Sequence, residues 1–219
     1  ENHDILQPLP VLYFLHGRSG DESILFEAGI SEKADQLISS GEINPMIIVC
    51  PRIENSRGLN SATECSEVLN SENRIYHVGM YEDYLIKELV PFIDNSFDTI
   101  QGRKGRYIGG ASAGGYAALH NALRHQDMFC KVGGHMPAIE LTLEEEDKPH
   151  FSCREVWEKY DPVHIAENED IRADIQVYLD AGDKDEGRFY EGCSILNKIL
   201  EEKGITVQNH LFQGHHNVE

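Results

Sequence analysis

Short runs of apolar residues, rich in β-branched and aromatic side chains, recur along the chain with longer segments between them. A short continuous apolar run bounded by polar residues is typical of a strand that is buried on both faces. We therefore predict strands at residues 11–15, 46–50, 106–110, 175–179 and 205–211.

The segments between these strands carry helical patterns. The predicted helices cover residues 26–40, 81–97, 113–124 and 187–203. The first and last are expected to stop at Gly41 and Gly204, and Pro91 should kink or restart the second, because proline has no N–H to donate. Strands that alternate with helices predict an α/β fold with a mostly parallel central sheet and helices on both faces.

Two polar stretches, residues 52–77 and 137–170, interrupt this alternation and are predicted to be long loops. Long loops of an α/β domain tend to gather over its functional face, so we expect both to shape a cleft. The second contains an acidic run at 144–147, which we interpret as a solvated surface. Without repeats or low-complexity linkers, residues 1–219 are predicted to form a single domain.

Charge excludes some classes of partner. The 219 residues include 19 Lys and Arg against 38 Asp and Glu, a formal net charge of −19. This argues against binding to nucleic acid or to an anionic membrane, because both need a basic surface. No apolar run is long enough to span a bilayer, and the first residues do not resemble a signal peptide. Five scattered cysteines favour a cytoplasmic location, with secretion after removal of a signal peptide left open.

The strongest chemical signal is the sequence GGASAGG at residues 109–115, between a predicted strand and a predicted helix. Gly-x-Ser-x-Gly in this context is the pattern of a nucleophile elbow. Its small residues let strand and helix approach each other, which lifts Ser112 above the sheet and aims the backbone N–H of Ala113 at a substrate carbonyl. A phosphate-binding turn is the alternative, but the segment has neither the P-loop lysine nor GxGxxG.

A serine nucleophile needs a base, and the base needs an orienting carboxylate. Acidic residues at 180–186 follow one predicted strand, and histidines at 215–216 follow the next. This is the order Ser, acid, His of the α/β-hydrolases, although the order leaves the choice of acid and histidine open. The pair His16-Gly17 after the first strand marks the expected second part of an oxyanion hole, with His16 itself interpreted as structural.

Four motifs together resemble one esterase family of the α/β-hydrolases. The family includes esterase D/S-formylglutathione hydrolase, feruloyl and acetylxylan esterases, and enterochelin esterases. The motifs are PVLYFLHG (10–17), GGASAGGYAAL (109–119), LDAGDKDEG (179–187) and QGHHN (213–217). The resemblance extends over nearly the whole chain.

The resemblance implies roles for particular residues. It assigns Ser112 as nucleophile, Asp185 as the acid in a Gly-x-x-Asp turn, and His216 as the base. Asp183 and His215 are the second choices. The backbone N–H groups of Arg18 and Ala113 would form the oxyanion hole.

The sequence also departs from the family pattern. Relatives normally have one or more strands before residue 10 and a helix after the catalytic histidine, so we expect missing N-terminal strands, in a trimmed or unusually short member. His135 stands where relatives often carry small residues, and we interpret it as packed or solvent-facing rather than as part of the cleft.

These observations predict a serine carboxylester hydrolase that acts on short-chain or carbohydrate-linked acyl esters rather than on S-formylglutathione. The alternatives are an acyltransferase with the same triad and a non-catalytic binding domain of the same fold. Neither a metal nor an organic cofactor is implied, and a homo-oligomer is left open. Four arginines could place a positive charge near the site: Arg18, Arg52, Arg57 and Arg188.

Overall fold

A sheet of six parallel strands forms the centre of the computed structural model, which describes residues 7–217. The described residues form eight strands in all: β1 (Val11–Leu15), β2 (Ile47–Val49), β3 (Ser66–Leu69), β4 (Ile75–Val78), β5 (Arg106–Ala111), β6 (Lys131–His135), β7 (Gln176–Gly182) and β8 (Thr206–Phe212). The central sheet has the order β2-β1-β5-β6-β7-β8, and each neighbouring pair is parallel. This confirms the predicted α/β class.

The helices are α1 (Ile24–Glu27), α2 (Ile30–Ser39), α3 (Tyr81–Asp83), α4 (Val90–Ser96), α5 (Ala113–Arg124), α6 (Arg154–Tyr160), α7 (Pro162–Asn168) and α8 (Phe189–Glu202). A π-helical segment, Tyr84–Leu89, joins α3 to α4 and places Pro91 near the start of α4. Because Pro91 has no N–H to donate to the preceding turn, an interruption of this helix was expected. It takes the form of this π-helical segment. The predicted helix at 26–40 is likewise divided, at Gly29, whose φ is 64°.

Side chains of β1 alternate between the two faces of the sheet, as strand geometry requires. Val11, Tyr13 and Leu15 are buried in the main core with α5, α7 and α8. Leu12 and Phe14 point to the other face, where they and α2 line a groove. The sheet therefore has helices on both faces.

Strand β6 is absent from the five apolar runs that predict strands. Its sequence, KVGGH, contains two glycines, and glycine weakens the strand signal. It is nevertheless central, because it pairs with both β5 and β7.

The segments predicted as long loops contain regular structure, which corrects that prediction. Strands β3 and β4 form an antiparallel hairpin at the end of 52–77, with β4 ending one residue beyond it, and α6 and α7 lie within 137–170. The hairpin is hard to recognise because β3 has only four residues, two of them polar and three of them exposed. The expectation that N-terminal strands of the family are missing concerns the chain before residue 7, which lies outside the described residues.

All strands of the sheet end at the same edge, because they are parallel. The residues that follow β1, β5, β7 and β8 are therefore brought together there. Between residues 7 and 217, no helix is long and apolar enough to cross a membrane.

Candidate active site

Ser112 occupies the turn between β5 and α5 with φ 54° and ψ −118°. A non-glycine residue in this region is strained and keeps its conformation only when its surroundings hold it. The Ser112 N–H donates to the carbonyl of His135 at 2.9 Å, and the Ser112 carbonyl accepts the N–H groups of Tyr116 and Ala138, both at 3.0 Å. These backbone bonds hold the turn with Ser112 facing a cleft.

The glycines of the motif are required by close backbone approach. A Cβ on Gly114 would lie 2.2 Å from the carbonyl oxygen of Leu15 and 2.4 Å from that of His16. A Cβ on Gly110 would lie 2.5 Å from the carbonyl oxygen of Gly114. A side chain at either position would push the helix away from the sheet and move Ser112.

His216 joins Ser112 to Asp185. Its Nε2 lies 2.8 Å from Ser112 Oγ, and its Nδ1 lies 2.9 Å from Asp185 Oδ2. The Asp185 side chain is fully buried, and its Oδ1 accepts the N–H of Gly187 at 2.8 Å. Because a carboxylate oxygen accepts hydrogen bonds, Nδ1 is the protonated nitrogen, and Nε2 is left to accept the Ser112 hydroxyl proton. The ring of Phe189 packs edge-on against the imidazole at 5.1 Å between centroids.

The second-choice residues lie elsewhere. His215 is 60% exposed, and its Nδ1 lies 2.7 Å from Oε1 of Glu186. Asp183 Oδ1 accepts the backbone N–H of Gly214 at 3.1 Å, so its carboxylate is directed at the segment that carries His216 rather than at the imidazole. The geometry thus brings together Ser112, His216 and Asp185, and leaves Asp183 and His215 outside this chain of hydrogen bonds.

Arg18 and Ala113, the expected oxyanion-hole residues, line the cleft together with Ser112. In the part of the chain that the structure describes, neither backbone N–H donates a hydrogen bond to a protein acceptor. Ala113 is the first residue of α5, where N–H groups have no partner within the helix and the helix dipole favours negative charge. Both groups are available to a substrate oxygen.

His16, the residue after β1, is buried, and its hydrogen bonds agree with the structural role expected for it. Its Nε2 accepts the N–H of Ile53 at 3.0 Å, so Nδ1 carries the proton and donates to the carbonyl of Gly17 at 2.8 Å. The imidazole thereby fixes the loop after β1 to the segment after β2.

A cleft of about 630 Å³ surrounds Ser112. Both polar segments, 52–77 and 137–170, contribute to its walls. Their lining residues are Asn55, Arg57 and Tyr76 from the first, and Ala138, Glu140, Glu146, Asp147 and His150 from the second.

Arg57 links the two segments through buried ion pairs. Its Nη2 lies 2.8 Å from Oε1 of Glu140 and 2.8 Å from Oδ2 of Asp147, and the three side chains are 10% exposed or less. The guanidinium also stacks on the ring of Tyr116 at 4.9 Å. Burial raises the pKa of the Asp147 carboxyl, against the attraction of Arg57. Burial lowers the pKa of Arg57, but the two carboxylates outweigh it and hold that pKa well above its ordinary value.

The acidic run is therefore only partly a solvated surface. Glu144 and Glu145 are exposed, as expected. Glu146 and Asp147 instead line the cleft, and Glu146 Oε1 lies 3.1 Å from Nη1 of Arg18. Their inward orientation depends on partners far away in the sequence, so four consecutive acids could not reveal it.

Of the four candidate arginines, the structure places Arg18 and Arg57 in the cleft. The Arg18 guanidinium also donates to Tyr76 Oη at 3.1 Å. Arg52 and Arg188 lie outside the cleft, and they pair with Glu54 and Glu191.

His135 lies on the other side of the sheet edge, in the groove next to α2. Its Nδ1 is 2.7 Å from Asp180 Oδ2, and its side chain is 44% exposed, as the packed or solvent-facing interpretation requires. Asp180 also accepts from Tyr178 Oη at 3.0 Å and from the N–H of Met136 at 2.9 Å. Burial raises the pKa of Asp180, but these hydrogen bonds, led by that from His135, lower it overall.

Tyr76, Glu140 and His150 are among the cleft residues that no sequence motif indicated. Each belongs to a segment without a motif. Within residues 7–217, no group of three or more His, Cys, Asp or Glu side chains is arranged to hold a metal ion.

Comparison with known proteins gives a consistent family. The model of the esterase family, described as "Putative esterase", matches residues 1–219. An endo-1,4-beta-xylanase/feruloyl esterase of Xylanibacter ruminicola is 28% identical over 197 residues. That match covers 84% of this chain and 24% of the relative, so the chain spans about a quarter of the length of that relative.

Solved structures show the same fold. A ferulic acid esterase has a TM-score of 0.75 and 26% identity, with 97% of this chain and 80% of that chain covered. An S-formylglutathione hydrolase from Agrobacterium tumefaciens has a TM-score of 0.74 and 18% identity, with 98% and 79% covered. The family resemblance drawn from the motifs is thus confirmed: the chain belongs to the esterase family and has the α/β-hydrolase fold.

Proposed function

We propose that this protein hydrolyses carboxylic esters through an acyl-enzyme on Ser112. The observation that carries the proposal is the continuous chain of hydrogen bonds from Ser112 through His216 to the buried Asp185. A serine hydroxyl is a weak nucleophile until a base accepts its proton, and this arrangement provides that base.

Each residue has a defined part in the proposed reaction. Ser112 Oγ attacks the ester carbonyl while His216 Nε2 accepts its proton, and the imidazolium then donates that proton to the leaving alcohol. Asp185 fixes the tautomer and stabilises the imidazolium. Water, deprotonated by His216, then attacks the acyl-enzyme and releases the acid.

The charge that develops on the carbonyl oxygen needs its own partners. The backbone N–H groups of Arg18 and Ala113 are proposed to bind this oxyanion, because both residues line the cleft with Ser112 and neither N–H donates a hydrogen bond within the described residues. Preorganised donors of this kind are worth roughly 2.7–4 kcal/mol each in the transition state.

We propose neutral acyl esters, short-chain or carbohydrate-linked, as the substrate class. Five carboxylates line the cleft (Glu140, Glu146, Asp147, Asp185 and Glu186) against two guanidinium groups, Arg18 and Arg57. Both guanidinium groups are already paired with carboxylates, so an anionic substrate such as S-formylglutathione would meet net negative charge. The feruloyl and ferulic acid esterases among the similar proteins support a substrate of this neutral class.

A panel of acetyl, butyryl and feruloyl esters and a thioester tests the proposal on wild type and Ser112→Ala. We expect ester turnover that depends on Ser112, covalent labelling of wild type by a fluorophosphonate, and no labelling of Ser112→Ala. Equal turnover by both proteins would overturn the mechanism, and a folded wild type that is neither labelled nor active would indicate a binding domain. Measuring how the acyl group partitions between water and added alcohols separates hydrolysis from acyl transfer.

A further inference from the structure

The backbone of Ser112 is held by a segment outside its own motif, residues 135–138, which begins at the last residue of β6. The carbonyl of His135 accepts the Ser112 N–H at 2.9 Å, and the N–H of Ala138 donates to the Ser112 carbonyl at 3.0 Å. The segment is therefore bonded to the peptide groups on both sides of the nucleophile. The position of Ser112 Oγ depends on the conformation of residues 135–138.

This segment contains a strained residue. Met136 has φ 45°, in the left-handed region that residues other than glycine rarely adopt. Such a conformation persists only where surrounding contacts hold it. Met136 is 5% exposed and lines the cleft of Ser112. Relaxation of its turn would move the peptide groups to which Ser112 is bonded.

Asp180, on β7, supplies contacts that hold this turn. The N–H of Met136 is shared between Asp180 Oδ1 at 2.9 Å and the Asp180 backbone carbonyl at 3.0 Å. Oδ2 accepts from His135 Nδ1 at 2.7 Å and from Tyr178 Oη at 3.0 Å. Hydrogen bonds to an ionised carboxylate are the stronger kind, and three of them fix the orientation of this side chain.

His135 itself lines the groove next to α2 rather than the cleft. Its ring lies between the rings of Phe14 and Tyr178, at 6.0 Å and 5.4 Å between centroids, and its Nδ1 is directed at Asp180. The imidazole is thus on the opposite side of residues 135–138 from the substrate. Its route to the nucleophile runs through the Asp180 carboxylate and the backbone.

Resting on the proposed function, we propose that the His135–Asp180 pair positions Ser112 by holding the strained turn at Met136. Both are positioning residues, because they act on Ser112 through the backbone of residues 135–138. Small displacements of a nucleophile slow the chemical step strongly. The pair therefore contributes to the rate of acylation and leaves the affinity for the ester unchanged.

Removal of the imidazole donor tests the pair. In His135→Leu we expect kcat and kcat/KM for one acyl ester to fall together by about tenfold, the effect of one lost hydrogen bond to a carboxylate, with KM within about twofold of wild type. The rate at which a fluorophosphonate labels Ser112 should fall by a similar factor, because labelling needs the same geometry. His135→Asn, whose side-chain amide can donate in place of Nδ1, should recover most of both rates.

His164→Leu is the matched control. His164 Nδ1 also lies 2.7 Å from an aspartate Oδ2, that of the buried Asp161, but this pair is at the start of α7 and does not line the cleft. His164→Leu should be destabilised towards urea, yet its kcat should stay within about twofold of wild type. Tyr178→Phe, which removes the other side-chain donor to Asp180, is a second variant in case His135→Leu does not fold.

Met136→Gly separates positioning from a general structural role. Glycine adopts positive φ without strain, so the turn should no longer depend on the Asp180 carboxylate. Adding His135→Leu to Met136→Gly should then change kcat by about twofold or less, against the tenfold change expected in the wild-type background. A role of His135 in stability alone would give the same loss in both backgrounds.

The outcomes separate this inference from the proposed function. A fall in kcat in His135→Leu or Tyr178→Phe that Met136→Gly suppresses supports the positioning role. Unchanged kcat and labelling in both variants, a loss confined to KM, or an equal loss in His164→Leu overturns it and leaves the esterase proposal intact. An equal loss in both Met136 backgrounds does the same. Absence of Ser112-dependent hydrolysis in the wild-type protein overturns both proposals.

Discussion

Asp183 accepts a hydrogen bond from the backbone N–H of Gly214, two residues before His216. Two further contacts hold the same segment. The carbonyl of Gly214 accepts the N–H of Lys184 at 2.8 Å. Gly214 also packs so closely against Gly182 that a Cβ on Gly182 would lie 2.4 Å from the carbonyl oxygen of Gly214. The loop after β7 thus supplies both the carboxylate that contacts His216 and the support for the loop that carries it.

Asp183→Ala should lower kcat about 3–10-fold, the value of one lost hydrogen bond that positions a catalytic loop. Asp183→Asn keeps an oxygen acceptor for Gly214 and should retain most of the activity. Steady-state kinetics on one acyl ester decides this. Equal effects of the two substitutions would show that the charge of Asp183, rather than its acceptor, matters.

His216→Ala should lower kcat by on the order of 10³-fold or more, since the Ser112 proton then has no acceptor. His215→Ala should stay within about twofold of wild type, because its imidazole is exposed and pairs with Glu186. The two neighbouring histidines serve as each other's control in one assay. A larger loss for His215→Ala would reverse their proposed roles.

Gly114→Ala should destabilise the protein by about 1–3 kcal/mol or more, because its Cβ would meet two backbone carbonyls that cannot move independently. Gly133→Ala is the matched control, since a Cβ there has open space, and its effect should stay below about 1 kcal/mol. Urea unfolding of both variants measures the difference. Similar stabilities would mean that the elbow tolerates a shift of α5.

Acid should destabilise the protein partly through His150. Its folded-state pKa of about 3 lies below the ordinary value of 6.5, so between these values the unfolded chain binds a proton that the folded protein does not. The free energy of unfolding should therefore fall as the pH drops below 6.5, and this one group adds at most about 1.4 kcal/mol per pH unit.

The test is the pH dependence of urea unfolding from pH 7 to pH 4. His150→Phe should flatten the slope, whereas the exposed His210→Phe should not. Equal slopes in wild type and His150→Phe would show that His150 is protonated in the folded protein as readily as in the unfolded one.

Local chemistry explains what the sequence could predict. The Gly-x-Ser-x-Gly turn indicates Ser112 directly, whereas the choice of Asp185 and His216 over Asp183 and His215 comes from the family resemblance. The alternation of strands and helices places the turns that carry all three at one sheet edge. Strand β6 lacks an apolar run, because two of its five residues are glycines, and one of them, Gly134, packs closely against Pro137 and Leu119. The inward orientation of Asp147 and His150 depends on contacts with Arg57 and Tyr76, which are distant in sequence, and no local pattern encodes such contacts.

The ion pairs of Arg57 also set a condition for redesign of the cleft. Arg57 belongs to one wall segment, whereas Glu140 and Asp147 belong to the other, and all three are buried. Replacing only one segment with that of a homologue would leave an unpaired charge buried in the interior, which costs several kcal/mol. New specificities should therefore be engineered by transplanting both segments together, as a single interchangeable unit.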